Sequence, residues 1–342
     1  MDASQAPELP YITPELTGIG GSIKQEPEHF IVEEIPLYQP QDRGRHIYLC
    51  LERRGMTTRE LQKGLARVLG LPASEVGYAG LKDKQALVTQ TFSVPAGAQG
   101  PEEVARRVAG ELPVKVHWAR LHANKLKRGH LLGNRFRILV SGVEDGALER
   151  GREIAAALAR RGLPNFFGDQ RFGNQGDNAE QGRQILHGRR RAQKWLRGLL
   201  LSAYQSHLFN LWLARRLADG LFQTLLAGDV AKKTDTGGLF TVEDPAREQP
   251  RLEAGEITYT GPIYGSKMRW AQEQAGEREQ EVLAEQEVDQ QMLKRARLKG
   301  SRRPARLVLE DIDLEAAPGG LWFGFSLPKG AYATTVLREF MK

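Results

Sequence analysis

The residues with the clearest capacity for chemistry lie in one run, Gly77-Tyr78-Ala79-Gly80-Leu81-Lys82-Asp83-Lys84-Gln85-Ala86, followed closely by Thr89-Gln90. Asp83 is a carboxylate on a short loop, and the small residues before it let another backbone or a ligand approach. Lys82 and Lys84 flank it, and two adjacent cations favour the ionised form. An ionised carboxylate can serve as a nucleophile at neutral pH. By itself a Lys-Asp-Lys triplet is most often a solvated turn, so its meaning depends on the rest of the chain.

Several other chemistries find no support. A single cysteine, Cys50, among 342 residues permits neither an internal disulfide nor a cysteine-built zinc site, and makes the cytoplasm the expected compartment. The seven histidines are scattered without zinc-like spacing, so no metal is expected. His117, His122 and His130 sit in a basic stretch, where phosphate contact or plain packing is the natural role. No Gly-x-Gly-x-x-Gly follows a strand and no Gly-Lys-Ser/Thr loop occurs, which disfavours a methyltransferase or a nucleotide-dependent RNA enzyme. Gly18-Ile19-Gly20-Gly21 is too short a match. Met1 to Pro14 lacks the basic start and apolar run of a signal peptide. The apolar stretch Leu199 to Ala214 is interrupted by Ser202, Gln205, Ser206, His207 and Asn210, and reads as a buried helix, not a membrane span.

Net charge is +7, but its distribution says more. Three stretches, Lys115 to Arg137, Arg183 to Arg197 and Lys294 to Arg306, contain 20 of the 49 Lys and Arg and no Asp or Glu. Separated basic patches that displace counterions from phosphates point to a nucleic acid partner. A non-catalytic RNA-binding protein would account for these stretches. It would not account for Asp83, a carboxylate where it would repel phosphate.

The elements that must position Asp83 follow from periodicity. Phe30 to Ile35 and His46 to Arg53 alternate apolar and polar residues, as half-buried strands do. Thr57 and Glu60 form a capping box for a helix from Arg59 to Leu69, which buries Leu61, Leu65 and Val68 and is closed by Gly70. Val76 to Ala79, Val88 to Val94 and Arg135 to Val143 read as further strands. Beyond about residue 160 the texture changes to a glycine-rich segment, Gly168 to Gly182, a helical region from Ala192 to Gly220, and short strands through Tyr264. Ala271 to Lys299 reads as one helix, and Arg306 to Ile312 and Leu321 to Ser326 as strands. The class is α+β.

The Asp83 segment resembles the motif of the TruD family of tRNA pseudouridine synthases, in which an aspartate follows Gly-Leu-Lys and precedes a Thr-Gln pair. Four more segments match the family in order. They are Glu28-His29-Phe30-Ile31-Val32-Glu33-Glu34, Leu131-Leu132-Gly133-Asn134-Arg135-Phe136, Pro164 to Gly173, and Leu327-Pro328-Lys329-Gly330-Ala331-Tyr332-Ala333-Thr334, with Leu337-Arg338-Glu339-Phe340 after them. The resemblance implies a pseudouridine-synthase-like mixed-sheet catalytic domain, residues 1–161 with 307–342, and an inserted α/β domain, residues 162–306, that helps enclose RNA. It implies a monomer that isomerises a uridine of tRNA, position 13 in the family's usual substrate, without cofactor or metal. Asp83 takes the nucleophile's place, and Phe30, Asn134 and Tyr332 the places of groups that hold the flipped base. Tyr332 stands where the family more often has Phe and keeps the stacking face; His29 stands where Asp is usual. Arg171 either contacts phosphate or supports a loop against the catalytic sheet, with support ahead.

Overall fold

A computed structural model describes residues 9–23, 26–309 and 311–342; the reading of residues 1–8 lies outside them. Two compact units appear, each with its own core. The first comprises Gly18–Arg152, Asp311–Ala333 and Phe340–Lys342. Among the described residues, nine strands make its sheet, in the order Asp313–Ala317, Gly320–Pro328, Leu131–Val143, Phe30–Pro36, Leu87–Pro95, His46–Arg54, Val114–His122; Gly20–Ser22 and Gly77–Tyr78 add short pairs. Among the described residues, only Phe30–Pro36 and Leu87–Pro95 run parallel.

A parallel pair requires a crossover. The chain leaves Phe30–Pro36, forms His46–Arg54 and the helix Thr58–Leu69, and returns as Leu87–Pro95. That crossover ends in the loop carrying Asp83. The helix starts as its sequence demands: Thr57 accepts from Glu60 N at 3.1 Å, Glu60 accepts from Thr57 N at 2.7 Å, and Gly70 closes it at φ 67°. Leu61, Leu65 and Val68 pack on Ile47, Leu49, Leu51, Phe92 and Val94. Two glycines are dictated by close approach. A Cβ on Gly77 would lie 2.3 Å from Leu126 O, and one on Gly133 would lie 2.1 Å from Leu327 O.

The second unit comprises the described residues of Met1–Thr17, Glu153–Glu310 and Thr334–Glu339. Its centre is the 25-residue helix Lys194–Ala218, which buries Leu200, Leu201, Tyr204, Leu208, Phe209, Trp212 and Leu213 against the sheet Leu239–Thr241, Val230–Lys233, Ile257–Ile263, Ser301–Pro304. Among the described residues no helix is long and apolar enough to cross a membrane.

Several expectations are corrected. The single helix over Ala271 to Lys299 is two, Glu273–Glu285 and Gln290–Arg295. Glu287 adopts φ 54° between them, and the Asp289 side chain caps the second by accepting from Met292 N at 2.7 Å. Val76 to Ala79 shrinks to Gly77–Tyr78, and Arg306 to Ile312 to Arg306–Leu307. The glycine-rich segment runs into the helix Asn178–Leu186, and Val114–His122 is a strand hidden by its basic content.

His207, on the long helix, gives this unit a pH signature. Burial pushes its imidazole down to about 4 from 6.5, and its ring lies parallel to that of Tyr204 at 6.2 Å. With the folded pKa depressed, the unfolded chain binds the proton first, so the contribution is complete above pH 6.5 and is lost as pH falls towards 4. The loss reaches about 3 kcal/mol. His207→Phe should flatten the fall in urea-unfolding free energy between pH 6.5 and 4. An unaltered slope in that window refutes the assignment.

Candidate active site

The site is built on one row of the first unit's sheet. Phe30, Val32 and Glu34 share a face of their strand, as do Ile47, Leu49, Leu51 and Arg53 of theirs. Two inward positions in otherwise apolar rows are therefore charged, and both side chains are buried. Glu34 and Lys82 form an ion pair at 2.7 Å with side chains only 1% and 5% exposed. Burial drives the Lys82 ammonium below its ordinary pKa, and the Glu34 carboxylate opposes that shift. Arg53 is lowered to about 10 by burial, again opposed by Glu34.

The groups around this pair are fully used. Gln90 Nε2 donates to Glu34 Oε2 at 3.1 Å and to Gly80 O at 2.7 Å, while Gln90 Oε1 accepts from Arg53 at 3.2 Å and from Thr58 Oγ1 at 3.1 Å. The Thr58 hydroxyl accepts from Arg53 Nη2 and from Lys82 N, each at 3.0 Å. An amide has two donors and two acceptor sites, and a hydroxyl one donor and two, so neither has capacity left. The loop is thus held at Gly80 O, Lys82 N and Lys82 Nζ. Asp83 is the next residue out, half-buried, with Oδ1 accepting from Gln85 N at 3.2 Å.

Of the two flanking lysines, Lys82 pairs with Glu34, and Lys84 lies 3.6 Å from Glu60 on the surface.

Asn134 is opposite Glu34 in the antiparallel register, and Leu327 is opposite Asn134 on the other side. Its Oδ1 is buried with no hydrogen-bond partner, which costs about 1–3 kcal/mol. Phe30 is four residues back along the Glu34 strand, 4% exposed, its ring edge-on to Phe136 at 6.3 Å. Tyr332 is half-buried at the N-terminal end of the helix Ala333–Met341, and the turn before it is tied to the Asn134 strand by Lys329 N donating to Leu132 O at 3.0 Å. Asn134 and Lys82, the residue before Asp83, thus both lie at Glu34, and Phe30 is on the same strand as Glu34.

Arg53, Thr58, Glu34 and Gln90 were not singled out as a unit from the sequence. The available signal was a charge at an inward position of an alternating strand, at Glu34 and again at Arg53. Arg171 is held within its own unit. It donates to Ser206 Oγ at 3.0 Å and to Ser202 Oγ, both on the long helix of its own unit. His117 pairs with Glu52 at 3.1 Å, His122 stacks on Tyr48 at 4.3 Å, and His130 lies against Tyr38. Among the described residues no group of His, Cys, Asp and Glu could hold a metal ion.

The model of the family tRNA pseudouridine synthase D (TruD) matches residues 8–192 and 179–340. The chain belongs to the TruD family. A tRNA pseudouridine synthase D of Anaeromyxobacter is 48% identical over 98% of this chain and 96% of its own length. Another from Thermus thermophilus is 44% identical over 100% and 95%. The crystal structure of the putative tRNA pseudouridine synthase D from Methanosarcina mazei matches with a TM-score of 0.77 at 25% identity, covering 97% of this chain and 95% of that one. The α+β class with a mixed pseudouridine-synthase sheet is therefore that of the TruD family, whose members are RNA isomerases.

In this TruD fold the pair beneath the loop is a stability element with a measurable signature. Removing one partner of a buried pair strands the other charge and costs about 3–5 kcal/mol. Glu34→Ala should lower the thermal midpoint by several degrees, and the double variant Glu34→Met, Lys82→Met should recover most of that loss. A single variant as stable as the parent in calorimetry would show that the pair does not hold the loop.

Proposed function

We propose that the protein converts a uridine of tRNA, position 13 by family precedent, to pseudouridine, with Asp83 as nucleophile and no cofactor. Residues 1–161 with 307–342 carry the chemistry, 162–306 form the inserted domain, and the protein acts as a monomer in the cytoplasm. The base must leave its stack to be reached. Asp83 bonds to the flipped nucleotide, the bond from N1 to the sugar breaks, the uracil turns, C5 bonds to the sugar, and the bond to Asp83 breaks to free the carboxylate. C5 loses its proton and N1 gains one, so atoms and electrons balance without a redox partner.

The observation that carries this reading is a contrast. Thr58 and Gln90 beneath the Asp83 loop have every donor and acceptor engaged, while Asn134 Oδ1, one strand away from Glu34, has none. An amide oxygen accepts well from the imide N–H of uracil, and the amide N–H group can donate to a neighbouring uracil carbonyl. Holding the nucleophile on a rigid loop lowers the entropy lost in the attack. Tyr332 supplies the stacking face; Phe30 is the second aromatic assigned to the site.

Two experiments test this. Asp83→Asn keeps the shape and removes the nucleophile, so turnover should vanish while tRNA affinity stays near normal. Turnover within tenfold of the parent would sink the assignment. Stacking on an aromatic ring is worth about 1–3 kcal/mol, so Tyr332→Ala should lower turnover efficiency about five- to hundredfold and Tyr332→Phe only mildly. Calorimetry supplies the control: if Tyr332→Ala loses several degrees of melting temperature and keeps its activity at low temperature, Tyr332 is a packing residue and Phe30 the better stacking group.

A further inference from the structure

Two of the basic stretches, far apart in the chain, meet in the second unit. Arg197 Nη1 donates to Ala296 O at 3.4 Å, joining the first turn of the helix Lys194–Ala218 to the end of Gln290–Arg295. Beneath that bond Ala192, Leu196, Met292 and Leu298 pack against one core. Outside it, Arg189, Arg190, Arg191, Lys194, Arg295 and Arg297 are all exposed. Among the described residues, none of these six is paired with a carboxylate.

The first basic stretch differs. Its Arg120, Lys125, Arg135 and Arg137 lie 3.2, 3.3, 2.9 and 3.1 Å from Asp42, Glu75, Glu33 and Glu315. The rear of the third is consumed by the fold, with Arg302 bound to Glu279 at 2.5 Å and Arg306 to backbone carbonyls. Among the described residues, Lys115, Lys127 and Arg128 of the first stretch are exposed without such a partner, and the larger group lies where the two segments join.

Trp195 stands in that cationic field. It is 69% exposed, in the first turn of the long helix, and Leu199 one turn on is 41% exposed. A lone exposed apolar side chain needs no explanation. An indole among cations that lack carboxylate partners does, because the same charge opposes contact between two copies of this face and attracts a polyanion. Aromatic platforms beside cationic tracks are how single-stranded segments of nucleic acid are held.

We propose that Trp195 is a stacking platform for an unpaired nucleotide of the RNA, with the two basic segments contacting the phosphates on either side. The inference rests on RNA being the ligand, as in the reading above. In the full-length protein, Trp195→Ala should weaken binding of an unmodified tRNA transcript about five- to hundredfold, and Trp195→Phe should retain most of the affinity. A blunt RNA duplex, which offers no unpaired base, should bind both variants like the parent. Reversing Arg189, Arg190 and Arg191 together to Glu should flatten the dependence of log affinity on log salt, by about 0.7 to 0.9 for each phosphate no longer neutralised. Unchanged tRNA affinity in Trp195→Ala, or an equal loss on duplex, overturns the proposal. So does a change in sedimentation with unchanged affinity, which would make the face an interface between copies. Pseudouridine formation by the parent is scored separately: a parent that makes none but loses tRNA affinity on Trp195→Ala would refute the function and leave this subsite standing.

Discussion

The buried ion pair of Glu34 and Lys82 is the constraint on which the rest of the site depends. Two charges taken out of water cost several kcal/mol each unless their geometry is good and their remaining polar capacity is met. Here Gln90 Nε2 and Thr91 N donate to Glu34, Thr58 accepts from Lys82 N, and Arg53 bonds Gln90 and Thr58; these residues come from one central strand, a helix start and a neighbouring strand. The arrangement also fixes register. A one-residue slip of Phe30–Pro36 would turn Glu34 to the opposite face and bury Glu33 in its place. Sheet register and the position of the Asp83 loop are therefore set by the same contacts.

Much of the fold was legible because local signals agree with global packing. The capping box at Thr57, the αL glycine at Gly70 and the alternation from Phe30 and from His46 each correspond to an observed element. Val114–His122 was obscured because an edge strand exposes one face, and here that face carries cations in a run that reads as a charged patch. The break at Glu287 was invisible because a helix-rich composition continues across it. The stop comes from a single positive φ and a capping Asp289, neither of which alters periodicity.

The site was legible as positions and not as a mechanism of support. Motif order picked out Asp83 and Asn134, but the side chains that hold the loop come from residues 34, 53, 58, 82 and 90, and no spacing rule relates them. Charge counting misled in a similar way. The three basic stretches look alike as sequence, yet one has four of its seven cations in ion pairs, one is divided between core and surface, and one is largely presented to solvent. What decides is whether carboxylates from distant segments come within reach, which is a property of the fold.

Asn134 shows why a well-satisfied scaffold can keep one unsatisfied group. Among buried polar side chains the normal state is complete pairing, and a lone acceptor lowers stability by about 1–3 kcal/mol. A ligand that supplies the missing donor recovers that cost. In the proposed reaction the imide of uracil does so, and a base lacking that N–H leaves the acceptor stranded, so the penalty becomes discrimination between bases. The same logic explains why Gln90, chemically the same amide, cannot take this role. Its four hydrogen-bonding positions are already committed to Glu34, Gly80, Arg53 and Thr58, and a substrate could recruit it only by releasing the loop that holds Asp83.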